Sequence, residues 1–307
     1  KPVLFDCDPG IDDAFALAMA HASPDVVIEA VTTTFGNVGL DNTTNNALRL
    51  LGWIGCDAPV YRGVAGALLT ETVDAASYHG ASGLEAPGIP EPTRTAETTD
   101  AVSFLIAHLR AVDEPRTIIA TGPLTNLAMA FRLAPDVIGK VERVVFMGGS
   151  TDYGNDSPAA EFNMMSDPHA AQIVLTSGVP CVMFGLNVTH QVIATPDRVE
   201  ALRSIGNSAG HVFADMLDFF AAVYQDRYGF EGAALHDPCT VAWLVRPELF
   251  VTEPMRVDVE TTPGLSYGRS VHDRWGIAEK APNCDVALDA DADGFFELLT
   301  ELITTLT

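Results

Sequence analysis

Short, mostly apolar runs alternate with amphipathic stretches along this chain. Val3–Cys7 is typical of a buried strand, and apolar residues recur at helical spacing over Asp12–Ala22, with acidic residues in the first turn. The two patterns repeat and predict further strands at Val27–Thr34, Thr117–Ala120, Arg143–Met147 and Cys181–Leu186, further helices at Thr43–Ile54, Leu124–Leu133, Pro168–Thr176, Val199–Ile205, Ala209–Tyr224, Pro238–Val245 and Asp293–Thr305, and short β segments at Met255–Glu260, Ser270–Asp273 and Val286–Leu288. This alternation predicts an α/β fold with an open, mostly parallel sheet and helices on both faces.

Nothing in the pattern divides the chain. No internal repeat or low-complexity linker is visible, so residues 1–307 are expected to form one domain. The longest loop candidate, Pro87–Asp100, is rich in Pro, Thr and Glu, and we interpret it as a surface excursion rather than a lid. No apolar run reaches the roughly 18 residues of a transmembrane helix, and no secretory signal is visible at the N-terminus.

The chain is strongly acidic, with 41 Asp and Glu against 17 Lys and Arg and a net charge of −24. Such a chain should repel nucleic acid polymers and anionic membranes, whereas it suits a neutral substrate or a bound cation. We interpret the acidic excess as a solvated surface suited to high salt. The five cysteines are widely spaced without a CxxC pair, which favours buried thiols in a reducing compartment and therefore a cytoplasmic location.

Polar segments recur where the predicted strands end. Ligands of open parallel sheets bind beyond these carboxyl ends. The segments are Asp6–Asp13, Phe35–Asn37, Thr121–Pro123, Met147–Gly149, Leu186–His190 and His236–Asp237. The first is the strongest, because Asp6, Asp8, Asp12 and Asp13 place four carboxylates within eight residues and no Lys or Arg lies among them. Four acids this close cannot all stay ionised without a cation or hydrogen-bond donors.

A hard divalent cation held by oxygen atoms is the natural compensation. Asp237, just before another predicted helix, and the carbonyl of Thr121, at a Gly-Pro turn, are further candidate ligands. Carboxylates together with a backbone carbonyl suit Ca²⁺ better than Zn²⁺. Taken singly, Asp12 and Asp237 are each also explained as helix caps, but capping alone does not account for the whole DCDPGIDD pattern.

The DCDPGIDD segment, residues 6–13, closely resembles the N-terminal signature of the inosine–uridine nucleoside hydrolase family. Five further segments match that family in order and spacing: Thr121–Asn126, Met147–Gly149, Asn155 with Ala160–Asn163, Thr189–Gln191 and His236–Cys239. The resemblance spans nearly the whole chain. It implies a Rossmann-like nucleoside hydrolase fold, Ca²⁺ as the cofactor, and hydrolysis of the N-glycosidic bond of ribonucleosides to free base and ribose, as in purine and pyrimidine salvage.

The resemblance also implies three groups of site residues. The calcium ligands would be Asp8, Asp13, Asp237 and the carbonyl of Thr121. The substrate-binding residues would be Asp12 and Asn163 at the 2′- and 3′-hydroxyls, Asn155 and Glu161 at the 5′-hydroxyl, and Met147 against the sugar. Catalysis would fall to Asp8, which would take a proton from the attacking water, with Asn37 near the reacting centre and Asp6 orienting its neighbours.

Histidines and tyrosines are the candidates for handling the base. His236 resembles the histidine that family members specific for inosine and uridine use as general acid, and histidine titrates near neutral pH. His79 resembles a base-pocket histidine on a mobile loop, and Tyr224 and Tyr228 are candidates for the pocket wall. An ordinary loop histidine and helix-end packing are the alternative explanations of these three residues.

Two other functions fit parts of the pattern. An aspartate-nucleophile phosphatase also places DxD after its first strand, but this chain continues with Pro9-Gly10 and offers no cation near the loops except Arg227. A non-catalytic nucleoside- or sugar-binding module would share the fold, but each proposed functional position carries a chemically competent residue. No GxGxxG follows the first strand, which excludes a dinucleotide site of that type. The base preference stays open, and the resemblance implies a homotetramer or homodimer.

Overall fold

The computed structural model describes residues 1–71, 75, 80–84 and 88–306. In chain order, the described elements are β1 (Pro2–Cys7), α1 (Ile11–Ala22), β2 (Val27–Thr33), α2 (Leu40–Trp53), β3 (Val60–Arg62), α3 (Ala101–Ala111), β4 (Arg116–Ala120), α4 (Thr125–Leu133), a 3-10 helix (Pro135–Lys140), β5 (Val141–Met147), α5 (Phe162–Ser166), α6 (Pro168–Leu175), β6 (Cys181–Phe184), α7 (Leu186–Thr189), β7 (Ile193–Ala194), α8 (Pro196–Arg203), α9 (Ser208–Tyr228), β8 (Ala233–Ala234), α10 (Pro238–Val245), a second 3-10 helix (Pro247–Leu249), β9 (Phe250–Val259), β10 (Ser270–Asp273), β11 (Cys284–Ala290) and α11 (Ala292–Thr304).

Most of these strands form one sheet, in the order β10-β9-β11-β6-β5-β4-β1-β2-β3. From β11 to β3 in this order, each strand runs parallel to its neighbours. β9 and β10 add antiparallel pairs at one edge, and β7 pairs with β8 in a separate small ribbon. The prediction of an open, mostly parallel sheet is therefore confirmed.

The two faces of the sheet bury separate apolar layers. Val3 and Phe5 of β1 pack in the same layer as Phe15 of α1, whereas Leu4 belongs to the opposite layer with Leu105 of α3. Because side chains alternate along a strand, one short apolar run supplies both layers. Helices consequently cover both faces, as the alternation of strands and helices predicts.

The sequence pattern is wrong or silent at a few elements. It does not predict β3 or α3; α3 begins after Asp100, whose side chain accepts a hydrogen bond from the backbone N–H of Ser103. The predicted strand Cys181–Leu186 is too long, because β6 ends at Phe184 and α7 begins at Leu186. A Cβ added at Gly185 would lie 2.7 Å from a backbone carbonyl oxygen, so the chain turns where a glycine permits close approach.

β1 lies between β2 and β4, and the order of the strands reverses at this point. From β1 the chain moves outward through β2 to β3, and from β4 it moves outward in the other direction through β5 to β6. Such a reversal opens a crevice at the carboxyl ends of the strands. Within the described residues, we find no helix with the length and apolar character needed to cross a membrane.

Candidate active site

Five aspartates meet at the carboxyl end of β1. Asp6 lies in β1, Asp8 follows it, Asp12 and Asp13 lie in the first turn of α1, and Asp237 directly precedes α10. All five are buried, and none is more than 5 % exposed. Carboxylate oxygens of Asp12, Asp13 and Asp237 lie within 4.8 Å of one another. The fold therefore brings the acids of the first turn together with one that lies more than two hundred residues away.

Three elements hold the Asp13 carboxylate. One oxygen accepts hydrogen bonds from the backbone N–H of Gly10 (2.9 Å) and from Nδ2 of Asn37 (3.0 Å), and the other accepts one from the Thr121 hydroxyl (2.7 Å). Asn37 thus joins the loop after β2 to α1, and Thr121 joins the end of β4 to it. These hydrogen bonds orient the carboxylate before any ligand binds. The start of a helix also favours its negative charge.

The Asp8 carboxylate lies in a slot between two glycines. A Cβ added at Gly36 would be 1.9 Å from Oδ2 of Asp8, and one added at Gly122 would be 2.6 Å from Oδ1. Oδ2 accepts a hydrogen bond from the backbone N–H of Asn37 at 2.7 Å, whereas Oδ1 has no partner among the described residues. A side chain at either glycine would displace this carboxylate.

Asp6 joins β1 to β2 and to the first turn of α4. Its Oδ1 accepts hydrogen bonds from the Thr32 hydroxyl at 2.5 Å and from Nδ2 of Asn126 at 2.8 Å. Asn126 also donates to the carbonyl of Thr33 and accepts from the backbone N–H of Val64. Asp6 therefore has the contacts of a supporting residue rather than of one that faces a substrate.

Burial and mutual repulsion raise the pKa values of these carboxyls. Burial raises the pKa of Asp6 to about 6 and, together with the charge of Asp13, raises that of Asp12 to about 7. The pKa of Asp8 lies well above its usual range because of burial and then the charge of Asp13. The pKa of Asp237 is also raised well above its usual range, by burial and then by the charge of Asp12. Near neutral pH the cluster therefore retains protons unless a cation compensates it.

The unpaired oxygens indicate what the cluster is suited to hold. Oδ2 of Asp6 and the Oδ1 atoms of Asp8 and Asp12 are buried and have no hydrogen-bond partner among the described residues. Buried carboxylate oxygens without donors cost free energy that a bound cation would offset. The group of Asp12, Asp13 and Asp237 offers oxygen atoms alone, so the residues present fit a hard cation better than Zn²⁺.

A cleft opens above the acids and comprises about 520 Å³, including its mouth. The predicted site residues that line it are Asp12, Asn37, Thr121, Met147, Asn155, Glu161, Asn163, Tyr224, His236 and Asp237. Asp6, Asp8 and Asp13 are buried and are not among the lining residues, and neither is Tyr228. His79 lies outside the described residues. Within the described part of the chain, no Lys or Arg lines this cleft.

Glu161 lines the cleft and caps α5. Its carboxylate accepts hydrogen bonds from the backbone N–H groups of Gly149 (2.8 Å), Asn163 (2.9 Å) and Met164 (3.2 Å). Burial nevertheless raises the pKa of Glu161 to about 7. The cap explains why an acid follows the loop here, because the first N–H groups of a helix otherwise lack acceptors.

The side-chain amides of Asn155 and Asn163 form hydrogen bonds within the protein. Oδ1 of Asn155 accepts a hydrogen bond from the backbone N–H of Phe162 at 2.9 Å. Nδ2 of Asn163 donates to the carbonyl of Thr121 at 2.7 Å and to that of Met147 at 3.2 Å. The Thr121 carbonyl, a predicted ligand, therefore already accepts one hydrogen bond, and a carbonyl oxygen has one further lone pair to offer.

His236 is held at both ring nitrogens. Its Nδ1 shares a hydrogen bond of 2.7 Å with the Thr189 hydroxyl, and its Nε2 shares one of 2.5 Å with the Tyr224 hydroxyl. The residue is 5 % exposed and lines the cleft beside Asp237. Two hydroxyls that can each donate or accept suit a ring that gains and loses a proton without reorienting.

The helix α9 brings tyrosines to this histidine. It extends to Tyr228, one turn beyond the predicted end at Tyr224. Tyr224 lines the cleft, whereas Tyr228 packs behind it, 5.4 Å from Tyr224, 5.6 Å from Phe230 and 6.1 Å from His190 between ring centroids. Of the two tyrosines, Tyr224 is therefore the one positioned to touch a ligand.

Sequence reasoning overlooked four described residues that line the cleft: Ala75, Asp156, Phe162 and Phe220. Phe220 precedes Tyr224 by four residues on α9, and this helical spacing would have placed both on one face. Phe162 lies inside the Ala160–Asn163 motif, between the polar residues Glu161 and Asn163, and an apolar side chain there does not by itself indicate a site. Asp156 directly follows Asn155, and no spacing rule distinguishes it from an ordinary loop acid.

The parallel sheet, with a buried cluster of acids at its point of reversal and a polar cleft above, defines an α/β enzyme with an acidic, cation-fitting active site. The chain belongs to the inosine-uridine preferring nucleoside hydrolase family, whose model matches residues 3–297. It is accordingly a hydrolase of N-glycosidic bonds. The resemblance noted from the motifs is confirmed over nearly the full length.

Curated relatives and solved structures agree with this membership. The chain is 45 % identical over 302 residues, 98 % of this chain and 97 % of the relative, to a protein of Citrobacter koseri named pyrimidine-specific ribonucleoside hydrolase RihA. A purine-preferring ribonucleoside hydrolase from Gardnerella vaginalis superimposes with a TM-score of 0.92 at 32 % identity, covering 99 % of this chain and 98 % of that one. A plant nucleoside hydrolase gives a TM-score of 0.92 at 34 % identity and covers 99 % of both chains.

Proposed function

We propose that this protein is a Ca²⁺-dependent ribonucleoside hydrolase that splits pyrimidine ribonucleosides, such as uridine and cytidine, into free base and ribose. The observation that carries this proposal is the cluster of buried carboxylates with unpaired oxygens beneath a cleft of neutral and acidic residues. Such a floor suits a cation and a neutral, hydroxyl-rich sugar. The pyrimidine preference follows the curated relatives named pyrimidine-specific, which are 43 to 45 % identical to this chain.

Asp8, Asp13, Asp237 and the carbonyl of Thr121 would hold the Ca²⁺ ion. When bound, Ca²⁺ would supply the positive charge that lets these acids ionise, would orient the ribose 2′- and 3′-hydroxyls, and would make the attacking water more acidic. Asn37 supports this arrangement, because its backbone N–H and its side-chain amide bind the carboxylates of Asp8 and Asp13.

Asp8 would accept the proton of the attacking water. Its Oδ1 has no other partner among the described residues, and its position between Gly36 and Gly122 leaves the carboxylate little freedom to turn away. A carboxylate that is held in one position and has a free oxygen atom is suited to accept a proton from a water molecule beside it. Direct attack by water predicts inversion at the anomeric carbon, without a covalent intermediate.

The remaining carboxylates and amides would bind the sugar. Asp12 and Asn163 would hold the 2′- and 3′-hydroxyls, Asn155 and Glu161 would hold the 5′-hydroxyl, and Met147 would pack against the ring. Glycosidic cleavage develops positive charge on the sugar, so negative groups that are fixed in place before the reaction stabilise the transition state.

His236 would protonate the departing base. Its Nε2 shares a hydrogen bond with the Tyr224 hydroxyl, and both residues line the cleft, so a proton can leave from this pair towards the base. Thr189 holds the opposite nitrogen and so maintains the orientation of the ring. A base that departs with a proton is a much better leaving group than its anion.

A substrate panel tests the proposal. Uridine, cytidine, inosine and adenosine are incubated with the protein in Ca²⁺ or in EGTA, and released reducing sugar is measured. We expect ribose from the two pyrimidine nucleosides, with less from inosine, and loss of activity in EGTA that Ca²⁺ restores. Folded protein that binds uridine in Ca²⁺ but releases no ribose would indicate a binding module instead. Release of phosphate from p-nitrophenyl phosphate would support the phosphatase alternative. The described residues of the cleft argue against that alternative, because they include no cationic side chain to bind a phosphate.

Location and assembly complete the proposal. The five cysteines are buried free thiols, which suits the reducing cytoplasm. We expect a homotetramer or homodimer, and light scattering coupled to size exclusion measures its mass.

A further inference from the structure

The proposed mechanism leaves one acid of the cleft without a task. Asp156 lines the cleft together with its chain neighbour Asn155 and with Glu161, and the residue is exposed to solvent. Burial is the main cause of the raised pKa of Glu161, and the negative charge of Asp156 raises that pKa further. The carboxylates of Asp156 and Glu161 therefore both belong to the part of the cleft that the proposed function assigns to the 5′ position of the sugar.

A closed turn holds Asp156 in place. The backbone N–H groups of Asn155, Asp156 and Ser157 all point to the carbonyl of Ala160, at 3.2 to 3.3 Å. The Ser157 hydroxyl oxygen in turn accepts a hydrogen bond from the backbone N–H of Ala160 at 3.0 Å. A Cβ added at Gly154 would lie 2.1 Å from that same carbonyl oxygen, so the turn requires glycine there. This packing fixes the backbone from which the Asp156 side chain extends.

A cation near the rim opposes this acid. Arg227, in the last turn of α9, attracts the Asp156 carboxylate and partly offsets the effect of burial on its pKa. Arg227 is exposed and is not among the described residues that line the cleft. Asp156 therefore adds a negative charge to the lining of the cleft, whereas Arg227 acts on it from outside that lining.

We propose that Asp156 is a specificity-determining residue, which makes the cleft favour nucleosides with a neutral or positively charged 5′ substituent over those with a 5′-phosphate, while Arg227 limits this selection. The inference rests on the proposed function, because it concerns one substituent of the proposed substrate. The disfavoured class is the nucleoside 5′-monophosphates.

The size of the effect follows from elementary electrostatics. One unit charge acting across about 8 Å of water on a phosphate dianion changes its binding about fivefold, and the same charge acting on an ammonium group changes it about twofold in the opposite sense. A neutral 5′-hydroxyl is nearly unaffected. Because both side chains are exposed, salt must weaken the selection as the Debye length falls from about 30 Å at 0.01 M to about 3 Å at 1 M.

The test compares three ligands that differ at the 5′ position: uridine, uridine 5′-monophosphate and 5′-amino-5′-deoxyuridine. Each is measured at pH 7 as a substrate, or as a competitive inhibitor of uridine hydrolysis where its turnover is too slow, and is expressed relative to uridine for the same variant. In low salt, Asp156→Asn should raise the ratio of the monophosphate to uridine about fivefold and lower the ratio of the amine to uridine about twofold. Arg227→Gln should shift both ratios in the opposite direction. Molar KCl screens both charges and should therefore bring the ratios of the wild-type protein and the two variants towards one another.

Asp152→Asn is the matched control, because it removes the same charge from an exposed acid of the same loop that does not line the cleft. Its ratios should stay within about twofold of the wild-type ratios. The electrostatic role would be refuted if Asp156→Asn changed the ratios of both 5′-substituted ligands in the same direction or changed neither ratio. It would also be refuted if the changes were the same in low and in molar KCl. Failure of the wild-type protein to release ribose from uridine in Ca²⁺ would instead overturn the proposed function, and this selection with it.

Discussion

Replacing Asp12 with asparagine should stabilise the cation-free protein above neutral pH. The pKa of Asp12 is raised from 3.8 to about 7, so the folded protein holds a proton over a range where the unfolded chain has lost it. Ionisation of this group therefore costs stability progressively from about pH 4 to about pH 7, and by a constant amount above that range. A pKa displaced this far corresponds to about 4 kcal/mol, which asparagine, having no charge, avoids.

Thermal unfolding in EGTA measures the effect. For a chain of this length, about 4 kcal/mol corresponds to a rise in Tm of roughly 8 °C. We expect this rise for Asp12→Asn at pH 8 and little change at pH 4.5, where the folded wild-type protein keeps Asp12 protonated. Saturating Ca²⁺ should raise the Tm of the wild-type protein more than that of the variant, because the ion relieves a repulsion that the variant has already lost.

Asp167→Asn is the matched control outside the cluster. Asp167 is equally buried, but its carboxylate accepts hydrogen bonds from the backbone N–H groups of Leu68 and Ala170 and from the Thr125 hydroxyl. An amide cannot accept all three, so this variant should lower the Tm at pH 8. The reasoning about the cluster would be refuted if Asp12→Asn also lowered the Tm in EGTA at pH 8, or changed it by the same amount at pH 4.5.

Three further predictions concern catalysis and the surface. His236→Ala should slow the hydrolysis of uridine at least about 100-fold but that of p-nitrophenyl riboside far less, because nitrophenolate leaves without a proton; equal losses in kcat/KM would remove His236 as the acid. Gly122→Ala should abolish ribose release, because its Cβ would lie 2.6 Å from Oδ1 of Asp8. Gly139→Ala is the control and should stay active, because nothing lies within 4 Å of a Cβ at that position. An active Gly122→Ala protein would contradict the role of Asp8. The Tm should rise from very low to molar KCl because a net charge of −24 repels itself, and an unchanged Tm would oppose the interpretation of a surface suited to high salt.

Local patterns in the sequence predicted the longer elements. β1 and α1 stand out as apolar runs because β1 is buried on both faces and α1 is almost wholly buried. The pattern did not find β3, which has three residues, or α5, which has five, because such short elements leave no periodic signal. α3 was also overlooked, although Asp100 followed by an apolar run is a recognisable helix start.

The sequence by itself determined the crowding of acids in the first turn, since Asp6, Asp8, Asp12 and Asp13 are chain neighbours and their repulsion follows from covalent connection. Only the tertiary structure decided which distant groups complete the site: Asp237 beside Asp12, the Thr121 hydroxyl on Asp13, and His236 between Thr189 and Tyr224. The physical reason is that contacts between loops depend on the order in which strands pack into the sheet. Neither residue spacing nor hydrophobic periodicity records that order.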